Sequence, residues 1–323
     1  MKEPHVSIII PLYVIENRFF EDLKKFDKLN YSNFEVIIVC DKRIELPLLK
    51  NKKTKFILTK KRQTGPAEKR DLAINKARGE ICAFIDDDAY PDSNWLKNAV
   101  MEFNDPKISA VGGPGLTPPE DGFWEQTTGL VYSSFFCGGV AQYRFVKGKR
   151  KYVVDYPAYN LFVRTDVLKK VGGYGSYFYG GEDTFLCLKL IKAGYKILYS
   201  PKVVVYHHRR PLFFGYLKQI ANVGKHRGYF AKHFPETSAY FWYFIPATLA
   251  IGFIFLLLTS LFSYQVRVIF LSLFLFFFIL AWGSVIYKGP ILNSFFAASG
   301  VILTHIFYGL SFIRGLTLKN LKR

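Results

Sequence analysis

After Glu236 the chain carries no acidic residue, and from Tyr240 to Phe262 it runs for 23 residues without a charge of either sign. Coiled as a helix at 1.5 Å per residue, that stretch is about 35 Å long, against a hydrocarbon core of about 30 Å. Val268 to Tyr287 is equally apolar, and Ile291 to Ile313 is a third, weaker stretch containing Asn293, His305 and several Gly and Ser. Helices apolar on every side need other protein to cover them in a water-soluble fold, and the remaining chain has none to spare. The tail therefore predicts membrane-embedded helices. What precedes Pro235 must be a separate fold with its own core.

Composition then separates two classes of partner. A formal charge of +19 suits nucleic acid, but a nucleic-acid binder shows its basic residues as a patch within a recognisable module, and none is present. Between Pro201 and Pro235 stand seven Lys or Arg and no Asp or Glu, with aromatics between them, directly ahead of the apolar tail. Anionic lipid headgroups explain that placement better, at about 1 kcal/mol per basic side chain near the surface. Arg209, Arg210, Lys218, Lys225 and Arg227 are the expected lipid contacts, the later ones on an amphipathic helix with Phe213, Phe214, Leu217 and Ile220 on its apolar side. Cys40, Cys82, Cys137 and Cys187 lack paired spacing and read as buried thiols in a reducing compartment. Met1 leads straight into a strand-like segment without an apolar signal region.

The first part reads as a doubly wound α/β domain. Val6 to Ile10 and Phe34 to Val39 are β-branched runs of the kind buried in a parallel sheet, with a helix expected over Glu16 to Leu29. Lys55 to Leu58, a helix opening at Pro66 and Ile81 to Ile85 continue the alternation. A helix near Trp95, a strand near Ile108, a Gly- and Pro-rich stretch from Gly112 to Gly122, a strand over Tyr159 to Val163, a helix opening at Glu182 and strands near Lys196 and Val203 follow. Sheets of this type bind ligands at the carboxyl ends of their strands, where Asp41 and Asp86-Asp87-Asp88 stand.

Adjacent aspartates raise one another's pKa, a cost that a divalent cation removes. Carboxylate oxygens suit Mg²⁺ or Mn²⁺, which can bridge a carboxylate and a diphosphate. A solvated turn that caps the helix at Trp95 is the plainer alternative, served by Asp92 or Ser93. His207 or His208, in the run His207-His208-Arg209-Arg210, could add a metal ligand or a phosphate contact; exposed basic residues at a membrane-facing strand end are the duller reading.

VSIIIPLY, EVIIVCD, GPAEKRDLAINKARGEICAFIDDDAYPD and NLFVRTDVLKKVGGYGSYFYGGEDTFLCLKLIKAGYKILYSP together resemble the successive blocks of family 2 glycosyltransferases. That resemblance implies a GT-A fold with a mixed sheet and a Rossmann-like nucleotide-binding half. It places Asp41 against the donor's base, Pro11 and Tyr13 along the nucleotide pocket, and Arg70 facing the nucleotide. Asp86 and Asp88 match the DxD-like pair, with Asp88 the direct metal ligand and Asp86 or Asp87 reaching the ribose. Asp183 matches the catalytic base of the ED motif, with Glu182 its acceptor-side partner. Cys40 before Asp41, and Lys42-Arg43 after it, depart from the family pattern, as does the absence of a QxxRW-like signature, which argues against a processive synthase.

The expected organisation is a catalytic domain over 1–208, a basic interfacial segment over 209–236 and membrane helices over 237–323. The expected activity is inverting transfer from a nucleotide-diphosphate sugar, UDP favoured, to a lipid-linked saccharide at the cytoplasmic membrane face, with Mg²⁺ or Mn²⁺ and no nucleic acid. A polyprenyl-phosphate sugar synthase and a non-catalytic nucleotide-sugar-binding protein are the alternatives. Arg314, Lys319, Lys322 and Arg323 favour an inside tail, hence two full spans with Ile291 to Ile313 in the interface.

Overall fold

Fully buried β-branched strands open the chain, and they set the architecture. A computed structural model describes residues 3–13, 16–42, 54–59, 64–176, 178 and 180–321; Arg43, Lys322 and Arg323, singled out above, lie outside them, as do Tyr177 and Tyr179 of the GGYGSYFYGG run. The first elements are β1 (Val6–Pro11), α1 (Asn17–Lys25), β2 (Phe34–Cys40), β3 (Thr54–Leu58), α2 (Pro66–Ile74), β4 (Ile81–Ile85), β5 (Ala89–Pro91), α3 (Trp95–Glu102), β6 (Ile108–Gly112) and β7 (Gly115–Leu116). Next come α4 (Phe123–Ser133), α5 (Phe135–Gly138), β8 (Lys151–Val153), β9 (Asn160–Arg164), α6 (Thr165–Lys170), α7 (Glu182–Lys192), β10 (Lys196–Tyr199) and β11 (Val205–His207). The last are α8 (Phe214–His233), α9 (Pro235–Ser238), α10 (Phe241–Thr259), α11 (Tyr264–Gly283) and α12 (Ile291–Thr317).

The described residues form two compact units, one of Met1–Leu116 with Lys147–His207 and one of Thr117–Val146 with His208–Leu321. In the first, the sheet order is β3-β2-β1-β4-β9-β6-β10-β8, with β5-β11-β7 as a smaller sheet. β1 pairs in parallel with both β2 and β4, so it is covered on both edges and buried throughout, as its largely apolar sequence requires; its one polar side chain, Ser7, donates to Glu35 at 2.8 Å. β9 runs antiparallel between β4 and β6, which makes the sheet mixed, the GT-A-like arrangement. Asn160 at the head of β9 is fully buried and locks the strand ends: its amide nitrogen donates to Gly113 and Val203 carbonyls at 2.6 and 2.7 Å, and its oxygen accepts from Trp95 Nε1 at 2.8 Å.

The second unit takes in residues 117–146. α4 packs on α12, where Asn293 donates to Thr127 Oγ1 at 2.8 Å and to the Phe123 carbonyl at 3.0 Å. α8 lies along α12 at a separation only glycine allows: a Cβ on Gly224 would sit 2.4 Å from the Tyr308 carbonyl oxygen, and one on Gly228 2.0 Å from that of Phe312. The apolar side expected of α8 is corrected in one respect. Leu217 and Ile220 are buried, whereas Phe214 is 94% exposed and Tyr216 takes the buried position. Among the described residues α10, α11 and α12 are long and apolar enough to cross a membrane; the most apolar windows of α10 and α11 are barely covered by protein, that of α12 half covered.

Candidate active site

Because β2, β1 and β4 run side by side in one direction, their carboxyl ends deliver Asp41, Pro11 to Tyr13 and Asp86 to Asp88 to one edge of the sheet. Pro11 is buried at the end of β1, while Tyr13 is exposed and its backbone N–H donates to Asp87 at 2.6 Å. Asp41 accepts from Thr59 Oγ1 at 2.6 Å and pairs with Lys69 Nζ at 2.8 Å. Burial would raise its pKa, but the hydrogen bonds from Lys69 and Thr59 outweigh it and hold the carboxylate below its usual range. Lys69 is itself almost wholly buried and also donates to the Leu12 carbonyl at 2.6 Å, so it ties the end of β1 to that of β2. Lys69 was missed by the sequence reading. The available signal was a carboxylate at a buried strand end that needed a cation, with two adjacent ones on the next helix.

The other of those cations joins the two acidic motifs. Arg70 is 2% exposed, and its guanidinium meets Asp86 at 2.7 Å, Glu182 at 3.2 Å and Asp183 at 3.3 Å. A residue expected to face the nucleotide is thus engaged by three carboxylates from two distant parts of the chain. Glu182 and Asp183 form the first turn of α7, where the helix dipole favours carboxylates. The chain enters that turn through Gly181 at φ 83°, a conformation that disfavours a side chain. Glu182 is buried and its second oxygen accepts from the Gly180 N–H at 2.9 Å. Asp183 is partly exposed; its far oxygen accepts from the Ala158 N–H at 3.0 Å. Burial, reinforced by the Glu182 charge, pushes the Asp183 pKa up to about 7, against the opposing pull of Arg70 and the Ala158 N–H.

Asp86, Asp88 and His207 bring their ligand atoms within 4.8 Å of one another, and His207 Nε2 lies 3.0 Å from an Asp88 oxygen. β11 supplies His207 because it pairs antiparallel with β5, the strand that follows the aspartates, setting His207 opposite Ala89. The two carboxylates suit Mn²⁺ or Mg²⁺, which keep positions open for water and phosphate, and the imidazole adds a nitrogen donor beside them. The two histidines left open by the sequence part here. His208 is buried and paired with Asp121, outside this cluster.

Of the expected lipid contacts, Arg209 turns inward: it is 7% exposed, its guanidinium lies 5.3 and 5.5 Å from the Tyr132 and Phe145 rings, and Nε donates to Thr117 Oγ1 at 3.3 Å. The aromatic pair offers that charge a better environment than an apolar surface does. Arg210 and Lys218 are exposed, Lys225 is half-buried, and Arg227 packs over Tyr243 and donates to Ser238 at 3.2 Å.

The model of Glycosyl transferase family 2 matches residues 7–172, just over half of the 323-residue chain. The chain belongs to that family. Among similar proteins, "Glycosyltransferase AglE" of Haloferax volcanii is 29% identical over 231 residues, covering 69% of this chain and 72% of the relative. The Methanococcus voltae "Dolichyl N-acetyl-alpha-D-glucosaminyl phosphate 3-beta-D-2,3-diacetamido-2,3-dideoxy-beta-D-glucuronosyltransferase" is 25% identical over 240 residues, covering 69% and 73%. A Pyrobaculum calidifontis mannosyltransferase, solved with GDP-Man and Mn²⁺, superimposes with a TM-score of 0.66 over 99% of this chain and 89% of that one at 18% identity, which shows the shared fold. The family 2 chain is therefore a glycosyltransferase of GT-A-like fold.

Proposed function

We propose that this glycosyltransferase is metal-dependent and inverting, and that it moves a sugar from a nucleotide-diphosphate donor, UDP favoured, onto a lipid-linked saccharide at the cytoplasmic membrane face. The observation that carries the reading is the Arg70 bridge, which holds the strand-end Asp86 and the Asp183 of α7 on one guanidinium. Asp86, Asp88 and His207 would hold Mn²⁺ or Mg²⁺, whose charge would neutralise the leaving diphosphate. Asp41, fixed by Lys69, accepts from the donor's base, with Pro11 and Tyr13 beside it and Asp87 towards the ribose.

The acceptor's attacking hydroxyl gives its proton to the Asp183 carboxylate. Its oxygen forms the new bond to the anomeric carbon as the bond to the donor's β-phosphate oxygen breaks, in one displacement that inverts the centre. A pKa near 7 suits a general base at physiological pH. Arg70 positions Asp183, and Glu182 completes the Arg70 site, a narrower part than that of acceptor contact. A base of this kind favours a hydroxyl acceptor over a lipid phosphate, which needs none; the dolichyl sugar phosphate in the Methanococcus voltae enzyme's name supports the same choice. Membrane attachment rests on the apolar helices α10 and α11 and the basic stretch before them.

Calorimetric titration of UDP and GDP, with Mn²⁺ and with EDTA, tests the donor side. The expected result is that Mn²⁺ strengthens binding in the wild type and that Asp88→Asn abolishes this metal-dependent gain, since a diphosphate beside uncompensated carboxylates is repelled. For either nucleotide, equal affinity of wild type and Asp88→Asn both with Mn²⁺ and with EDTA would remove the metal assignment.

A further inference from the structure

Helix α2 carries four consecutive charged residues, Glu68 to Asp71; Glu68 accepts from the Gly65 N–H at the helix start, and Lys69 and Arg70 serve Asp41 and the acidic cluster. Successive helical residues point about 100° apart, so Asp71 faces elsewhere. Its two oxygens accept separate backbone N–H groups of one loop, that of Tyr174 at 2.7 Å and that of Gly175 at 2.9 Å. Gly173, at φ 58°, lets the loop come this close, because a Cβ there would stand 2.4 Å from the same Asp71 carboxylate. From the other side Lys189 donates to the Gly173 and Tyr174 carbonyls, the latter at 3.0 Å. The loop is thus held through its backbone at both faces, an investment hard to explain by its own short sequence.

What the clasp holds is the Tyr174 side chain. It is fully buried, edge-on to Phe84 with centroids 5.4 Å apart, and its ring centre lies 5.3 Å from the Arg70 guanidinium carbon. Its hydroxyl is buried with no hydrogen-bond partner among the described residues, so the ring rather than the hydroxyl explains the placement. Phe84 stands two residues before Asp86 on β4. The ring therefore packs between the strand that delivers Asp86 and the cation that joins Asp86 to Asp183.

We propose that Asp71 and Tyr174 are positioning residues: Asp71 clasps the 173–175 loop so that the Tyr174 ring backs the Arg70 guanidinium and fixes it against Asp86, Glu182 and Asp183. The inference rests on the reading of Asp183 as the base. A guanidinium without this backing can swing among its three carboxylates, and a misplacement of the base of about 1 Å costs on the order of 100-fold in rate while leaving nucleotide contacts in place. The clasp therefore acts on turnover more than on donor binding.

The test uses the full chain in detergent with Mn²⁺, measuring nucleotide release from UDP-glucose, UDP-N-acetylglucosamine and GDP-mannose and following whichever the wild type hydrolyses fastest. Asp71→Ala and Tyr174→Leu should lower kcat at least 10-fold with donor KM within about 3-fold. Tyr174→Phe, which keeps the ring, should recover most of what Tyr174→Leu loses. Hydrogen exchange at the amides of 172–176 should speed up in Asp71→Ala; where that variant does not fold, Asp71→Asn, which keeps one acceptor oxygen, serves. Turnover within 2-fold of wild type in both Asp71→Ala and Tyr174→Leu, or equal damage by Tyr174→Phe and Tyr174→Leu, would overturn the proposal. Asp183→Asn in the same assay keeps the two readings apart: normal turnover there removes the base assignment, whatever the clasp variants do.

Discussion

Lys69 and Asp183 make opposite demands on the fold. Lys69 is buried against Asp41 and the Leu12 carbonyl, so Lys69→Met should cost about 3 kcal/mol, the range for stripping a buried charge of its partner. Lys69→Met with Asp41→Asn should recover part of the loss, read from denaturation midpoints. Asp183 works against stability. Its pKa rises from 3.8 to about 7 on folding, so the folded state holds the proton more tightly than the unfolded chain. The stability this gives is present below pH 4 and lost as pH rises through 7, a decline that Asp183→Asn should remove from a Tm–pH curve. In the proposed mechanism the ionised Asp183 is the active form, so log kcat/KM should climb to a plateau above about pH 7, and Arg70→Gln, by removing the opposing positive charge, should move that limb to higher pH. The carboxylates were legible in the sequence because strand-end aspartates announce themselves. Lys69 and Tyr174 were not, since their roles depend on which buried neighbours folding brings to them.

At the scale of elements, the alternation of β-branched runs and helices read through correctly from β1 to β4, and β10 falls on the expected residues. The stretch 117–146 did not read through. α4 lacks a clean apolar period, and its buried Thr127 and Thr128 look polar until Asn293 and the Arg210 carbonyl are seen as their partners. The polar residues that made Ile291 to Ile313 look poor for hydrocarbon turn inward: Asn293, Ser294, Gly300 and His305 are all buried. The Gly224 and Gly228 spacing on α8 is a small-residue packing signal that the sequence reading passed over. Gly228→Ala should push α8 from α12 and lower the Tm of the solubilised protein by several degrees, whereas Gly252→Ala, with open space around its would-be Cβ, should leave it unchanged or raise it.

For the whole molecule, the packing of the second unit bears on topology. α8 carries Lys218, Lys225, Arg227 and Lys232 and runs along α12, so carrying α12 through hydrocarbon would take those charges with it. α10 and α11 touch α12 near Pro246 and through Phe277, Phe278 and Trp282, while Phe253 packs on Phe270 and Phe274 further along the hairpin. The topology proposed here has two crossing helices, α10 and α11, with α8 and α12 at the interface. In a background lacking the native cysteines, Ser263→Cys should react with a membrane-impermeant maleimide in intact cells and a cysteine after Leu321 should not. The central proposal is chemical, however: Asp183 takes the acceptor's proton, while the donor is held by other side chains. Its most direct test is Asp183→Asn, measured for nucleotide–Mn²⁺ affinity and for single-turnover sugar transfer in the same preparation. The account predicts unchanged affinity with transfer slowed by about 10² or more; normal transfer with weakened donor binding would contradict it.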